Sequence, residues 1–306
     1  MSRQARAGRA STFDVSVGIS PRQSFDSWAA FVTGLEAEGV GRVWVIDSQL
    51  AMKDVYAGLV VAALNTTRIG LGTGVTNAVT RHPTVTANAI AAVNEISHGR
   101  AILGLGAGDS ALYGIGLEPQ KVAEVENAVA FFRSRIGDIP IFLAVSQRRM
   151  CELAGRVADG AIVMGPAQPD MVRRQVEWIR SGGRTVEVCL IAPTSTDVED
   201  VRSWASTQAR LLSHHKELPA SLLPFVDEIA RSAETYDYEE HLATQAGHSA
   251  AVSDDLVRAL GVVGTADECA ARLRELRACG VDTFIFPIAG RNRLERWKRL
   301  RDQIMV

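Results

Sequence analysis

Polar side chains that could take part in chemistry recur at one kind of position, directly after a run of residues that predicts a β-strand. Asp47 and Ser48 follow one such run, and Asp109 and Ser110 follow another. Two carboxylates that face one pocket can donate and accept protons where burial or mutual repulsion raises a pKa. Asp47 and Asp109 are therefore the candidate catalytic residues, as proton donor or orienting acid. The alternative from the residues alone is that each aspartate caps the helix that follows it.

The glycine-rich stretch 68–83, RIGLGTGVTNAVTRHP, is the most informative part of the sequence. Its first half alternates apolar residues with glycine, which suits a strand approached closely by another backbone or a ligand. Thr76 and Asn77 follow, and Pro83 predicts a helix start because its missing N–H costs nothing there. Parallel α/β proteins bind small molecules where a strand runs into polar groups and a helix. The alternative is a buried strand followed by an ordinary solvated loop.

Two further segments could approach a ligand through their backbone. The glycines of 104–109, GLGAGD, allow close approach of a planar ring or a phosphate. Their spacing is not G-x-G-x-x-G and the sequence beyond does not begin a helix cleanly, so no Rossmann site is predicted. Residues 146–149, SQRR, open a predicted helix whose N–H groups and two guanidinium groups could hold a phosphate. A solvated helix start explains the second segment equally well.

The histidines and possible nucleophiles match no catalytic or metal-binding motif. His82 precedes Pro83, where a capping role is expected, and His214, His215, His241 and His248 have no metal-ligand spacing. The sequence also lacks a G-x-S-x-G elbow. We therefore expect no metal and assign the chemistry to a bound cofactor.

The elements that must position these residues alternate regularly between strand and helix. Each predicted strand is followed by helical sequence, and the strands cover 13–19, 43–46, 69–75, 101–105, 139–145, 161–164, 186–191 and 283–288. Eight β/α units in about 250–300 residues predict an α/β fold, a closed (β/α)8 TIM barrel, with ligands at the carboxyl ends of the strands. The alternative is an open, doubly wound sheet.

Domain organisation is predicted to be simple. Residues 12–306 form one barrel domain, 1–11 a disordered tail, and about 197–260 a helical lid insertion between strands seven and eight. The net charge of −2 argues against nucleic acid as the main partner. The longest apolar run, 55–64, is shorter than the ~20 residues that cross a bilayer, so no membrane partner is expected. Four cysteines without C-x-x-C spacing predict reduced thiols in a cytoplasmic protein.

Several segments together carry a family resemblance. Residues 72–83 (GTGVTNAVTRHP), 94–101 (NEISHGRA) and 104–110 (GLGAGDS) resemble the bacterial luciferase-like superfamily, and most closely its coenzyme F420-dependent, methylenetetrahydromethanopterin reductase-like branch. The resemblance covers most of 13–288. It implies a TIM barrel that binds the deazaflavin coenzyme at the carboxyl ends of its strands, and it implies a homodimer.

The resemblance also implies roles for individual residues. A non-prolyl cis peptide between Gly74 and Val75 would press against the back of the deazaflavin ring, so that hydride passes on the opposite face. The phosphate-binding loops would be 146–147 and 164–165. The coenzyme contacts implied in this way are Ser48, Gly74, Val75, Thr76, Asn77, Gly106, Ala107, Gly108, Ser146, Gln147, Met164 and Gly165.

The sequence departs from the family pattern near the expected substrate. Ser20 stands where family reductases often have an acidic residue, and Ser48 where many have histidine. A methanopterin substrate therefore cannot be assumed. We expect substrate contacts from Ser20 and from the lid residues Tyr238, His241 and His248; the alternative is that the lid is a surface segment with ordinary polar residues.

The function expected from these observations is a coenzyme F420-dependent oxidoreductase. It would transfer a hydride between the deazaflavin C5 and a C=N or C=C bond of a small substrate. One alternative is an FMNH2- and O2-dependent monooxygenase, because the superfamily uses both coenzymes on one barrel. The other is a coenzyme-binding barrel without activity, which the serines at positions 20 and 48 would suit.

Overall fold

A closed barrel of parallel strands forms the centre of the computed structural model, which describes residues 13–238 and 247–304. Eight strands follow one another around the barrel in the order β1-β10-β7-β6-β5-β4-β3-β2. The TIM barrel is therefore confirmed, and the open sheet is excluded. The barrel strands are β1 (Phe13–Val17), β2 (Arg42–Val45), β3 (Gly70–Thr73), β4 (Ala101–Leu105), β5 (Ile141–Val145), β6 (Gly160–Val163), β7 (Glu187–Ile191) and β10 (Thr283–Pro287).

The helices surround the barrel and begin where the sequence supplies caps. Ser24 Oγ accepts a hydrogen bond from the Ser27 amide at 3.2 Å, and His82 Nδ1 accepts one from the Thr84 amide at 3.3 Å. The predicted capping role of His82 is thereby confirmed. The helices are α1 (Phe25–Ala37), α2 (Val55–Asn65), α3 (Pro83–Ile96), α4 (Asp109–Tyr113), α5 (Val122–Ile136), α6 (Arg148–Val157), α7 (Pro169–Ser181), α8 (Glu199–Ser213), α9 (Val226–Glu234), α10 (Asp254–Leu260), α11 (Ala266–Ala278) and α12 (Arg293–Ile304).

One expectation about helix starts is wrong. The sequence after Gly108 begins the short helix α4 at once, with Gly108 at φ 91° as the residue before it. Glycine reaches this left-handed conformation at no steric cost, which lets the chain turn sharply from β4 into α4. The turn places Asp109 at the first position of α4, beside the carboxyl ends of the strands.

Glycines on the inner side of β3 make room for large side chains within the barrel. A Cβ atom at Gly70 would lie 2.6 Å from Cγ of Arg42, and one at Gly72 would lie 2.5 Å from Cε3 of Trp44. The Trp44 ring packs against Phe142 across the barrel with 5.4 Å between centroids. The close approach predicted on this side is therefore made by side chains of β2 rather than by a backbone or a ligand.

The long insertion lies between two short strands that the sequence did not predict. β8 (Thr194–Ser195) and β9 (Val262–Val263) pair in parallel and hold the two ends of the insertion together. The insertion contains α8, α9, α10 and two 3₁₀ segments, Ala220–Phe225 and Gly247–Ala251. Most of its apolar side chains form a core of their own, whereas Trp204 of α8 joins the cluster inside the barrel. The insertion is thus anchored to the barrel through α8.

The remaining general features concern the termini, cysteines and membrane. The expected tail, residues 1–11, lies outside the described residues. All four cysteines are buried and free, which confirms the reduced thiols. None of the helices in 13–238 and 247–304 combines the length and apolar character that crossing a membrane requires.

Candidate active site

A pocket lies at the carboxyl ends of β2 to β6, and α8 covers one side of it. It brings together both candidate catalytic residues and all but one of the expected coenzyme contacts. Gly165 is the exception, although its carbonyl accepts a hydrogen bond at 3.4 Å from Gln208, which lines the pocket. The residues that line it are Ile46, Asp47, Ser48, Gly74, Val75, Thr76, Asn77, Gly106, Ala107, Gly108, Asp109, Ser110, Ala111, Ala144, Val145, Ser146, Gln147, Met150, Met164, Ile191, Trp204, Thr207, Gln208, Arg210 and Leu211.

The chain enters the pocket at the end of β3. The peptide bond between Gly74 and Val75 is cis, at the position that the family resemblance indicates. Hydrogen bonds to both neighbouring strands hold this segment, from the Gly74 amide to the Val45 carbonyl (2.6 Å) and from the Thr76 amide to the Gly104 carbonyl (3.0 Å). The Val75 side chain is therefore fixed at the pocket wall.

The side chain of Val75 packs against two glycines, Gly104 in β4 and Gly106 directly after that strand. A Cβ atom at Gly104 would lie 3.1 Å from Val75 Cγ1, and one at Gly106 would lie 2.9 Å from Cγ2. Any larger residue at position 106 would thus displace the valine or intrude into the pocket. With Ala107 and Ala144 beside it, this wall is apolar and formed by small side chains.

Asp47 is buried and engaged by four donors. Arg81 forms a bidentate ion pair with it, at 2.6 Å and 3.1 Å, and the hydroxyl of Thr76 and the amide of Gln49 donate at 2.7 Å and 2.9 Å. Arg81 also pairs with Asp54, at 2.8 Å. A carboxylate that accepts this many hydrogen bonds is held in place, so the geometry favours the orienting role of Asp47 over that of a proton donor.

Asp109 is paired with an arginine that the sequence analysis did not single out. Arg210 of α8 donates to both carboxylate oxygens, with 3.1 Å between Nη1 and Oδ1. Its side chain is 2% exposed, and its guanidinium lies 5.2 Å from the ring centroid of Tyr236. Burial alone would lower the pKa of Arg210, but the hydrogen bond and charge of Asp109 raise it. Asp109 therefore joins the barrel to the insertion.

The expected substrate residues of the insertion are only partly placed at the site. Tyr238 lies beside the pocket rather than among its lining residues, with its ring 5.6 Å from that of Tyr113 and its hydroxyl 3.5 Å from Arg210 Nη1. His241 lies outside the described residues, as does the side chain of His248. Ser20 lines a second cavity, described below.

The expected phosphate loop is fastened to the end of α8. Ser146 Oγ lies 2.6 Å from His215 Nε2, and Gln147 Nε2 donates to the His214 carbonyl at 3.3 Å. Burial, and after it the neighbouring His214, lowers the pKa of His215 to about 4, so the imidazole is neutral at pH 7. Arg148 pairs with Glu152 at 2.7 Å. Neither Arg148 nor Arg149 is among the residues that line the pocket, so the solvated helix start remains open beside the phosphate site.

Two buried amides in the pocket indicate what it could bind. Asn77 Oδ1 accepts from the amides of Val79 and Thr80, at 2.9 Å and 2.8 Å, whereas Nδ2 has no hydrogen-bond partner within the described part of the chain. Gln208 Oε1 is also buried and unpartnered among the described residues. Buried polar groups are normally hydrogen-bonded, so a ligand with both an acceptor and a donor at its edge would satisfy them. Together with the apolar wall of small side chains, they suit a planar ring system with polar edges.

The second cavity opens on the other side of the barrel mouth. Ile46 and Trp204 line both cavities and form the boundary between them. Ser16 and Ser20 contribute from β1 and the loop after it, and Arg293 contributes from the start of α12. Within 13–238 and 247–304, neither cavity contains three or more His, Cys, Asp or Glu side chains arranged to hold a metal ion.

Comparisons with known proteins point to one family. Residues 6–119 and 118–283 match the family model described as luciferase-like monooxygenase. A 5,10-methylenetetrahydromethanopterin reductase of Methanolobus tindarius is 30% identical over 293 residues, covering 82% of this chain and 86% of the relative.

Solved structures share the fold at lower identity. The coenzyme F420-dependent tetrahydromethanopterin reductase of Methanopyrus kandleri superposes with a TM-score of 0.74 at 20% identity, covering 96% of this chain and 99% of the other. The monooxygenase RslO1 of Streptomyces bottropensis gives a TM-score of 0.66 at 18% identity, covering 95% and 97%. Because one fold serves both kinds of enzyme, the fold alone does not decide between them.

Proposed function

The chain belongs to the luciferase-like monooxygenase family, and from this premise we propose that it is a coenzyme F420-dependent oxidoreductase of the reductase branch. It would transfer a hydride between the deazaflavin C5 and a C=N or C=C bond of a small substrate. The observation that carries the proposal is the apolar wall around Val75, edged by Asn77 Nδ2 and Gln208 Oε1, which have no hydrogen-bond partner among the described residues. The relationship to a methylenetetrahydromethanopterin reductase supports the choice of coenzyme.

The residues present suit this coenzyme, which when bound supplies a hydride donor or acceptor at C5. Val75 and Ala107 would support the face of the ring, and Asn77 would donate to its edge. The loop of Ser146 and Gln147 would receive the phosphate through backbone amides at the start of α6, where the helix dipole favours an anion. The amide of Met164, by contrast, already donates to the Val145 carbonyl.

Asp47 and Asp109 would hold other groups of the site in place rather than transfer protons. Asp47 holds the hydroxyl of Thr76 at the pocket, and Asp109 holds α8 over it. With the coenzyme bound, α8 and the wall of the barrel would limit the access of water to it, which protects a hydride donor from side reactions.

Binding and turnover assays test the proposal in two steps. We expect the purified protein to bind coenzyme F420 and not FMN in fluorescence titrations. We also expect an imine or a conjugated alkene to oxidise the reduced coenzyme without uptake of oxygen. Tight FMN binding with oxygen uptake would instead support the monooxygenase. Coenzyme binding without turnover on any of a broad panel of imines and alkenes would support the inactive barrel.

An Asn77→Leu variant tests the proposed position of the coenzyme. Leucine has a similar volume but cannot donate to the ring edge or hold the loop through Val79 and Thr80. Coenzyme affinity should fall at least about tenfold, the value of a lost buried hydrogen bond of roughly 1.4 kcal/mol. Unchanged affinity would contradict the placement of the coenzyme.

A further inference from the structure

The second cavity is positively charged and adjoins the proposed coenzyme pocket. Three arginines line it, Arg22, Arg291 and Arg293, and the described residues that line it include no carboxylate. Because Ile46 and Trp204 line both cavities, a ligand in the second one can extend to the edge of the first. The chain as a whole has a net charge of −2, so this concentration of positive charge is local.

Arg293 is the most deeply placed of the three and has neutral partners. Its guanidinium donates to the Gly18 carbonyl at 2.8 Å and to Gln23 Oε1 at 2.6 Å, and it lies 4.6 Å from the ring centroid of Phe31. No carboxylate among the described residues forms an ion pair with it. Desolvation lowers its pKa to about 10, whereas carboxylate partners raise the pKa of Arg81 above its usual value. Arg293 is partly buried, and removing a cation from water without a counter-charge is costly, so an anion beside it would be stabilising.

Ser16 is a second, independent indication of a ligand in this cavity. Its side chain lies on the inner face of β1, the residue is 2% exposed, and its hydroxyl has no hydrogen-bond partner among the described residues. A buried hydroxyl is normally satisfied by protein, water or ligand. Ser16 and Arg293 thus provide a neutral and a charged contact within one cavity.

We propose that the second cavity is the substrate compartment and that it binds an organic acid through its carboxylate. Arg293 pairs with the carboxylate, and the rest of the molecule passes Ser16 towards the boundary formed by Ile46 and Trp204. A planar guanidinium matches a carboxylate with two parallel hydrogen bonds, which makes arginine well suited to this recognition. This inference rests on the proposed function, because it places the reducible bond of the acid beside the coenzyme pocket.

Calorimetric titration without coenzyme tests the compartment directly. The probes are cinnamate and cinnamamide, which share shape and double bond but differ in charge. At constant ionic strength we expect cinnamate to bind at least about tenfold more tightly than cinnamamide. Equal affinities would overturn the proposal, and tighter binding of phenyl phosphate than of cinnamate would overturn the choice of a carboxylate.

Substitutions in α12 test whether the charge of Arg293 causes the preference for cinnamate over cinnamamide. Arg293→Gln should lower cinnamate affinity about tenfold or more and leave cinnamamide affinity unchanged, and Arg293→Lys should lose less. Arg299→Gln, on the same helix but outside this cavity, is the matched control and should bind cinnamate as the natural protein does. Thermal unfolding of each variant checks its folding, and Arg293→Met, which also removes the charge, serves if the glutamine variant is unfolded. An unchanged preference for cinnamate in a folded variant without this charge would overturn the assignment.

Titration of the same samples with coenzyme F420 separates this inference from the proposed function. A preference for cinnamate in a protein that does not bind the coenzyme would contradict the coenzyme and keep the anion site. Coenzyme binding without any preference for cinnamate would contradict the anion site and keep the coenzyme.

Discussion

Ion pairs, more than apolar packing, fix the two aspartate side chains at the mouth of the barrel. Asp47 and Asp109 follow β2 and β4, and each is paired with a largely buried arginine, Arg81 and Arg210. A carboxylate held by two hydrogen bonds from one guanidinium has a fixed orientation, which suits positioning better than proton donation. The two roles predict different effects of neutral substitutions.

Asp47→Asn should weaken coenzyme binding rather than the reaction itself. The amide presents a donor where Arg81 and Thr76 also donate, so Thr76 loses its anchor. We expect coenzyme affinity to fall about tenfold and the rate of the bound enzyme to change less than threefold in single-turnover measurements. Asp54→Asn is the control, because it removes the exposed partner of Arg81 without touching the pocket. A loss of about 10²–10⁴-fold in rate at unchanged affinity would instead identify Asp47 as a general acid.

The buried imidazole of His215 should make stability depend on pH. Its pKa is lowered to about 4 in the folded protein, from 6.5 for a free side chain. Between these values the unfolded chain binds the extra proton, so the contribution of His215 to stability is present above pH 6.5 and is lost as the pH falls towards 4. Replacing it with glutamine should remove part of the fall in melting temperature between pH 7 and pH 4.5. Identical pH profiles for the His215 variant and the natural protein would contradict the assignment.

Among the helices, α8 contributes the most side chains to the pocket. It contributes Trp204, Gln208 and Arg210 to the pocket and joins the barrel through the Asp109 ion pair. The insertion has an apolar core of its own, and hydrogen bonds from Ser146 to His215, from Gln147 to the His214 carbonyl and from Gln208 to the Gly165 carbonyl also hold α8 to the barrel. The attachment of this helix is therefore expected to control access to the coenzyme.

Asp109→Asn should loosen α8 from the barrel. The change leaves the buried guanidinium of Arg210 without its counter-charge. We expect faster amide hydrogen exchange in α4 and α8, with exchange in α5 unchanged, and weaker coenzyme binding. Arg258→Gln, which removes exposed ion pairs of α10, is the control. Unaltered exchange together with a large loss of rate would show that Asp109 acts in proton transfer instead.

For the molecule as a whole, the sequence predicted the pocket residues that follow the barrel strands. It did not predict the pocket residues that the insertion contributes. The residues after β2, β3, β4 and β5 were expected at the site because the carboxyl ends of parallel strands meet at one end of the barrel. Strand ends such as Ala101 and Leu105 were predicted to the residue, since apolar runs and glycines mark them. Topology therefore accounts for most of the pocket.

The contributions of Arg210, Gln208 and Arg293 follow from packing that no local pattern reveals. α8 lies over the pocket because Trp204 enters the barrel cluster, a contact between residues distant in sequence. Arg293 reaches the second cavity because α12 closes the barrel beside α1. Gln208 and Arg210 lie inside α8, and Arg293 begins α12 beyond the loop that follows β10. None of the three stands directly after a strand, so the rule that found Asp47 and Asp109 did not find them.

We propose that two copies of the chain form the homodimer that the family resemblance implies. Exposed apolar side chains on one surface support this proposal. Val79, Val85, Ile115 and Leu117 are 37–54% exposed. The segments that carry them meet where the Ala78 amide donates to Gln120 Oε1 at 3.4 Å. Apolar side chains grouped on a surface are typical of protein interfaces.

Light scattering with size-exclusion chromatography should give about twice the 32.9 kDa mass of the chain. Val85→Glu should shift the protein to the monomer, because an interface that buries a new charge loses several kcal/mol. Leu223→Glu, at a similarly exposed apolar position in the insertion, is the control and should leave the mass unchanged. A monomeric natural protein would contradict the dimer. A dimer that Val85→Glu does not affect would place the interface on another surface.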